Sequence, residues 1–298
     1  MSLLSRRPVA DVVARVLAAG ARRATPRALF PEIPRRTTGT TIPTRHGPLP
    51  ATLYHPPGRP GGAYVNAHGG GFVLGKPDMD DALCRFLAEH TGVVVVNVDY
   101  VLAPGHRFPA PCEQLYDAAV WAAEPEREWA GLGVCVGGQS AGGSLAAAAA
   151  RLALRAGGPD LALQVLHYPP LDLATPARDK PVPPGTRPML RPWMSEVFDT
   201  AYVPDPARRR DPLVSPAWGA DVEDLTGIAP AVVITAEQDL LRAEAVTYAA
   251  RLAEVGALVD HHDVPGVDHG YDQTGASPGL VHAAYSYLAG KVSDAVSA

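Results

Sequence analysis

The chain has 298 residues and a net charge of −5, and 47% of its residues are hydrophobic. That length can bury one large α/β domain or two smaller ones. The acidic balance leaves no basic surface for nucleic acid and is compatible with a neutral or apolar ligand. The three cysteines, Cys84, Cys112 and Cys135, lack C-x-x-C spacing. They read as small buried hydrophobes, neither a disulfide framework nor a zinc site.

Arg6 and Arg7 precede a fairly apolar run over 9–21, but Asp11 and Arg15 interrupt it and spoil a secretion signal. Val9, Val12, Val13, Val16 and Leu17 recur at helical spacing and predict an amphipathic helix. No stretch is long and apolar enough to span a bilayer, so a soluble cytoplasmic protein with no membrane partner is expected. Residues 1–36 are helical and then Pro/Arg-rich, and precede the main body. Two short strands are predicted at 39–43 and 51–55, with Gly47-Pro48 as the turn between them.

An alternating pattern follows. Strands are predicted at Ala63–Ala67, 93–98, 133–137, 161–167, Ala231–Ala236 and Leu258–Val264. Helices are predicted at 78–90, 111–123, 141–155, 243–255 and 279–292. The run over 93–98 is almost all valine, as in a strand buried on both faces. Strand and helix in alternation give a mostly parallel sheet flanked by helices, here a single domain over 1–298. One stretch breaks the rhythm. Residues 175–216 are rich in Pro and Arg and hold one helix-like segment over 191–202. An insertion after a strand end sits above the carboxyl edge of such a sheet, where ligands bind. With the N-terminal segment it is expected to form a cap.

The sharpest motif is Gly138-Gln139-Ser140-Ala141-Gly142, a G-x-S-x-G between a predicted strand and a predicted helix. Glycines relieve crowding in so tight a turn, and the helix beginning at Ala141 aims free N–H groups at a developing anion. The phosphate fingerprint G-x-G-x-x-G is absent there. A second motif, His68-Gly69-Gly70-Gly71-Phe72, directly follows the strand Ala63–Ala67. Its glycines let backbone donors approach a reacting oxygen, as in the glycine loops of lipases and esterases.

A nucleophilic serine needs a base, and the base an orienting acid, in the chain order Ser, Asp or Glu, His. Of the 10 histidines, only His269 lies in a loop after the last strand. Asp239 follows the strand Ala231–Ala236 and is favoured over Glu237 by motif position. Asp263 and Asp268 lie too near His269 in sequence. Leu190, Met194, Val197 and Phe198 are read as one helical face that lines an acyl pocket or packs the cap. Phe72 beside the glycine loop is the better pocket candidate.

Several segments together resemble the hormone-sensitive-lipase-like family of bacterial esterases, within the α/β-hydrolase fold. These are the glycine loop at 68–72, Asp99-Tyr100-Val101-Leu102-Ala103-Pro104, Gly138 to Gly143, Asp211-Pro212-Leu213-Val214-Ser215-Pro216, Asp239-Leu240-Leu241-Arg242-Ala243-Glu244 and Asp268-His269-Gly270. They run in the family's order from about His68 onward. The resemblance implies Ser140, Asp239 and His269 as catalytic triad, an oxyanion hole from the N–H groups of Gly70, Gly71 and Ala141, and a helical cap. It implies hydrolysis of a small ester with short or medium acyl chains, with no metal or organic cofactor. A homodimer through the last strand and helix is expected by analogy alone.

Two departures stand out. Gln139 occupies a position that is often acidic, which removes a charge beside the site. Val101 and Gly105 replace an Arg and a Glu, and losing both together leaves no unpaired buried charge. The family extends to plant hormone receptors that lost the histidine, whereas His269 is present here. The same site would also serve a natural-product tailoring enzyme acting as a deacylase, lactonase or cyclase.

Overall fold

The computed structural model describes residues 3–23 and 25–297. Its centre is an eight-stranded sheet. In chain order the strands are β1 (Thr37–Thr44), β2 (Gly47–Tyr54), β3 (Ala63–Ala67), β4 (Val94–Val98), β5 (Val134–Gln139), β6 (Leu163–His167), β7 (Ala231–Ala236) and β8 (Leu258–Val264). They lie side by side as β1-β2-β4-β3-β5-β6-β7-β8. β2 is antiparallel to both neighbours, and every pair from β4 to β8 is parallel. The helices are α1 (Arg7–Ala21), α2 (Asp81–Thr91), α3 (Ala110–Ala122), α4 (Ala141–Ala156), α5 (Pro192–Tyr202), α6 (Arg242–Glu254), α7 (Tyr271–Thr274) and α8 (Pro278–Ser297).

Alternation along the central strands fills both faces of the sheet. Ala63, Val65, Val94, Val96, Val134 and Val136 point into the core under α3 and α4. Tyr64, Val95, Cys135, Val165 and Ile234 point into the core under α2 and α8. Successive side chains of a strand face opposite ways, so a strand covered on both sides must be apolar throughout. All three cysteines are free and buried in these layers. Helix ends follow local chemistry. α2 and α4 stop at Gly92 and Gly157, both left-handed with φ of 72°, a conformation that glycine adopts without steric cost. Proline opens α1 and α5, where its missing N–H removes no hydrogen bond.

Two expectations need correction. The β1–β2 turn falls at Arg45-His46, because Thr44 pairs with Gly47 and Pro43 with Pro48. Pro48 can join β2 because the ladder to β4 begins only at Ala51, so its missing N–H faces no inner neighbour. In the amphipathic α1, Val13 and Leu17 pack against the core as expected and Ala10 and Ala14 are buried beside them, but Val12 and Val16 are 58% and 66% exposed. α1 packs against α5, and small residues on the contact face let two helices approach closely. α7, directly after His269, carries no sequence signal strong enough to be anticipated. Among the described residues no helix is long and apolar enough to cross a membrane.

Candidate active site

The ends of four strands, β3, β5, β7 and β8, and one inserted helix meet at the carboxyl edge of the sheet. β5 turns into α4 at Ser140, whose φ and ψ are 52° and −120°. A non-glycine residue there is strained, and the strain lifts the side chain clear of the strand. The turn is pressed against the end of β3. A Cβ on Gly142 would sit 1.8 Å from the carbonyl oxygen of Ala67. Glycine is therefore required by the close approach of two backbones.

The loop after β3 is held from below. The Tyr100 hydroxyl donates to the carbonyl of His68 at 2.8 Å, and the two rings stack with centroids 4.4 Å apart. His68 bonds the carbonyl of Gly69 through Nδ1 at 2.7 Å, and burial lowers its pKa to about 4, so it stays neutral. The carbonyl of Gly70 accepts from the N–H groups of Val73 and Leu74. Among the described residues no backbone carbonyl accepts from the N–H groups of Gly70, Gly71 or Ala141. Gly71 has φ of 60°, and a Cβ there would meet the Phe198 ring at 2.4 Å.

Asp239 follows β7 and His269 follows β8, and the structure brings both to Ser140. Ser140 Oγ lies 2.9 Å from His269 Nε2, and His269 Nδ1 lies 2.7 Å from Asp239 Oδ2. With a carboxylate as partner, Nδ1 carries the proton and Nε2 accepts from the serine hydroxyl. The other Asp239 oxygen accepts from the Leu241 N–H at 2.9 Å, which fixes the carboxylate. Asp239 and His269 are 1% and 6% exposed. Burial lowers the His269 pKa, but attraction and hydrogen bonding from Asp239 outweigh it, and the value is raised above 6.5. The rival acids are engaged elsewhere. Glu237 accepts from the Gly266 N–H at 2.7 Å, Asp263 pairs with Arg242 at 2.7 Å, and Asp268 accepts from the backbone N–H of His269.

Behind Ser140 lies a network that no pattern along the chain foreshadows. Asp272, on α7, is fully buried. Its carboxylate accepts hydrogen bonds from the Gln139 amide, the Tyr168 hydroxyl at 2.6 Å and the Tyr285 hydroxyl at 2.7 Å. Gln139 thus supplies a donor at a position where an acid would confront Asp272. The network ties the turn at Ser140 to the loop that carries His269.

A cavity of about 280 Å³ opens above Ser140. Phe72, Leu190, Met194 and Phe198 all line it. The expected four-residue helical face does not hold. Leu190 precedes α5, and Val197 is fully buried in the core and faces away from the cavity. Phe72 stacks on Tyr202 with centroids 4.0 Å apart. Tyr168, Met79 and Leu241 also reach the cavity from three distant segments, without any shared periodicity to reveal them. No described residue of the N-terminal segment lines it; α1 supports α5 from behind. Among the described residues no group of three His, Cys, Asp or Glu could hold a metal ion.

A family model described as alpha/beta hydrolase fold matches residues 64–273. Carboxylic ester hydrolase LipN of Mycobacterium tuberculosis is 38% identical over 255 residues, covering 81% of this chain. The match spans 65% of LipN's own length. Ethyl acetate hydrolase of Pseudomonas putida is 37% identical, covering 79% of this chain and 76% of that protein. Among solved structures, an esterase of Pyrobaculum calidifontis superposes with a TM-score of 0.79 at 34% identity, covering 99% of this chain and 94% of the other. A chain with this sheet, this order of motifs and these relatives belongs to the α/β-hydrolase family, in its hormone-sensitive-lipase-like branch.

Proposed function

We propose that the protein is a carboxylic ester hydrolase in which Ser140 is the nucleophile, His269 the general base and Asp239 the orienting acid. The observation that carries this reading is the hydrogen-bonded line from Ser140 through His269 to Asp239, at 2.9 and 2.7 Å, at the floor of a largely apolar cavity. The names of LipN and ethyl acetate hydrolase point the same way.

In the first step His269 Nε2 takes the Ser140 proton as Oγ attacks the ester carbonyl carbon. Negative charge moves to the carbonyl oxygen, which the N–H groups of Gly70, Gly71 and Ala141 stabilise. Removing one such donor typically costs about 3 kcal/mol in the transition state. The imidazolium, held by Asp239, then protonates the leaving alkoxide and the C–O bond breaks. An acyl-enzyme remains, and water activated by His269 hydrolyses it by the reverse sequence. The chemistry uses only these side chains and backbone amides.

Residues 175–216 and α5 act as the cap, with α1 as its brace. Phe198 and Met194 close the cavity from above, and Phe72 from the side. A cavity of about 280 Å³ sits at the small end of ligand pockets, which start near 300 Å³, so short or medium acyl chains are preferred. The test is hydrolysis of p-nitrophenyl butyrate by the purified protein and by Ser140→Ala. Turnover by the parent and none above background by the variant is expected; equal turnover by both refutes the assignment.

A further inference from the structure

The cavity is lined mainly by apolar side chains, yet one part of its wall is built from Lys180, Ser195 and Asp199. We propose that these three residues form a polar subsite that binds a hydroxyl group on the ester, away from the reacting carbonyl, and so selects hydroxylated esters over plain alkyl ones. The proposal rests on Ser140 being the nucleophile of an ester hydrolase.

Each member is buried and has bonding capacity left over. The Lys180 side chain is 7% exposed, and its ammonium pairs with Glu244 at 2.5 Å. Glu244 also accepts from the backbone N–H groups of Leu171 and Asp172 at 2.7 and 3.2 Å. The pair is therefore anchored to the loop after β6, and lysine holds its place with further donors unspent. Ser195, on the first turn of α5, is 8% exposed. Its hydroxyl is buried without a hydrogen-bond partner. Asp199, one turn further along α5, is 9% exposed, and among the described residues no side chain donates a hydrogen bond to its carboxylate.

Such a set is costly in an apolar pocket unless something completes it, because buried polar groups are nearly always paired. A hydroxyl fits because it both accepts and donates. It can accept from Lys180 or Ser195 and donate to Asp199. The charge balance argues against an anionic group. One ammonium faces the carboxylates of Glu244, Asp199 and Asp172, with Arg209 adding positive charge to Asp199 from outside the cavity. Burial raises Asp199 to about 6 and Glu244 to about 7, each opposed by Lys180. Above neutral pH the cluster therefore carries more negative than positive charge. Lys180 itself lies outside every motif that marks the fold, and lysine is rare in this chain.

The experiment compares kcat/KM for matched esters with and without a terminal hydroxyl. One pair carries it on the acyl side, p-nitrophenyl hexanoate and its terminally hydroxylated counterpart. The other carries it on the alcohol side, hexyl acetate and the monoacetate of the corresponding diol. We expect a preference of about tenfold for the hydroxylated member of one pair, the size of a buried hydrogen bond gained. A carboxylate at the same terminus should fall below the plain ester. In Ser195→Ala and Asp199→Asn the ratio, which cancels any general loss of activity, should fall toward one. No preference in either pair overturns the subsite while leaving the esterase reading intact. An undiminished ratio in both variants overturns it as well. No turnover of any ester overturns both readings together.

Discussion

Asp239→Asn keeps the shape of the side chain and removes its charge. The carboxylate oxygen lies 2.7 Å from His269 Nδ1. At that distance and an effective dielectric near 20, its attraction for an imidazolium is about 6 kcal/mol. The neutral imidazole of the resting enzyme feels little of it, so the attraction acts almost wholly on the transition state. Its loss corresponds to a fall of roughly ten-thousandfold in kcat. The pH profile supplies an independent readout. His269 must be neutral to act as base, and its pKa is raised, so activity should disappear as pH falls through a value above 6.5. In the variant, burial no longer faces the Asp239 charge, and the acidic limb should move to lower pH. The assay is kcat/KM for p-nitrophenyl butyrate against pH for both proteins. A loss smaller than about a hundredfold, or an acidic limb that stays in place, would refute the electrostatic role of Asp239.

Other expectations test the packing around the site. Gly142→Ala forces a Cβ toward the Ala67 carbonyl, 1.8 Å away, and neither backbone can give way without unseating the turn. A loss of about 3 kcal/mol in urea denaturation is expected. Gly71→Ala places a methyl 2.4 Å from the Phe198 ring at a φ of 60°, so kcat should drop even where thermal melting shows the fold intact. Phe198→Ala removes a ring from the cavity wall and should shift the acyl-chain optimum toward longer esters in a chain-length series. Burial raises the Asp80 carboxyl to about 7 from 3.8. Its neutral form is the one that the fold favours, so stability present below about pH 4 is lost as pH rises through about 7. Asp80→Asn should remove that loss, at most about 4 kcal/mol, and denaturation midpoints on either side of this window would show the difference growing with pH.

Sequence and structure answer different questions here. Local chemistry marks the elements. The valine run of β4 can only be a strand buried on both faces, and β7 falls where its apolar run predicts. The two glycine motifs announce close backbone approach, since no other residue type tolerates it. The loops that carry Asp239 and His269 follow from strand ends already placed. Where several residues of one type compete, spacing stops helping. Glu237 and Asp239 are equally acidic and two positions apart, and only the fold turns one toward His269 and the other toward Gly266.

What the chain determined by itself is the order of its strands and helices and the residues able to do chemistry at their ends, because these depend on periodicity, glycine and short-range sterics. The tertiary structure decided what meets across long distances. It joined Gln139 to Asp272, turned Ala10 and Ala14 of α1 inward and Val12 and Val16 outward, and set Lys180, Ser195 and Asp199 on one cavity wall. Such contacts are fixed by how whole elements pack against one another, and no pattern along a single segment records that packing.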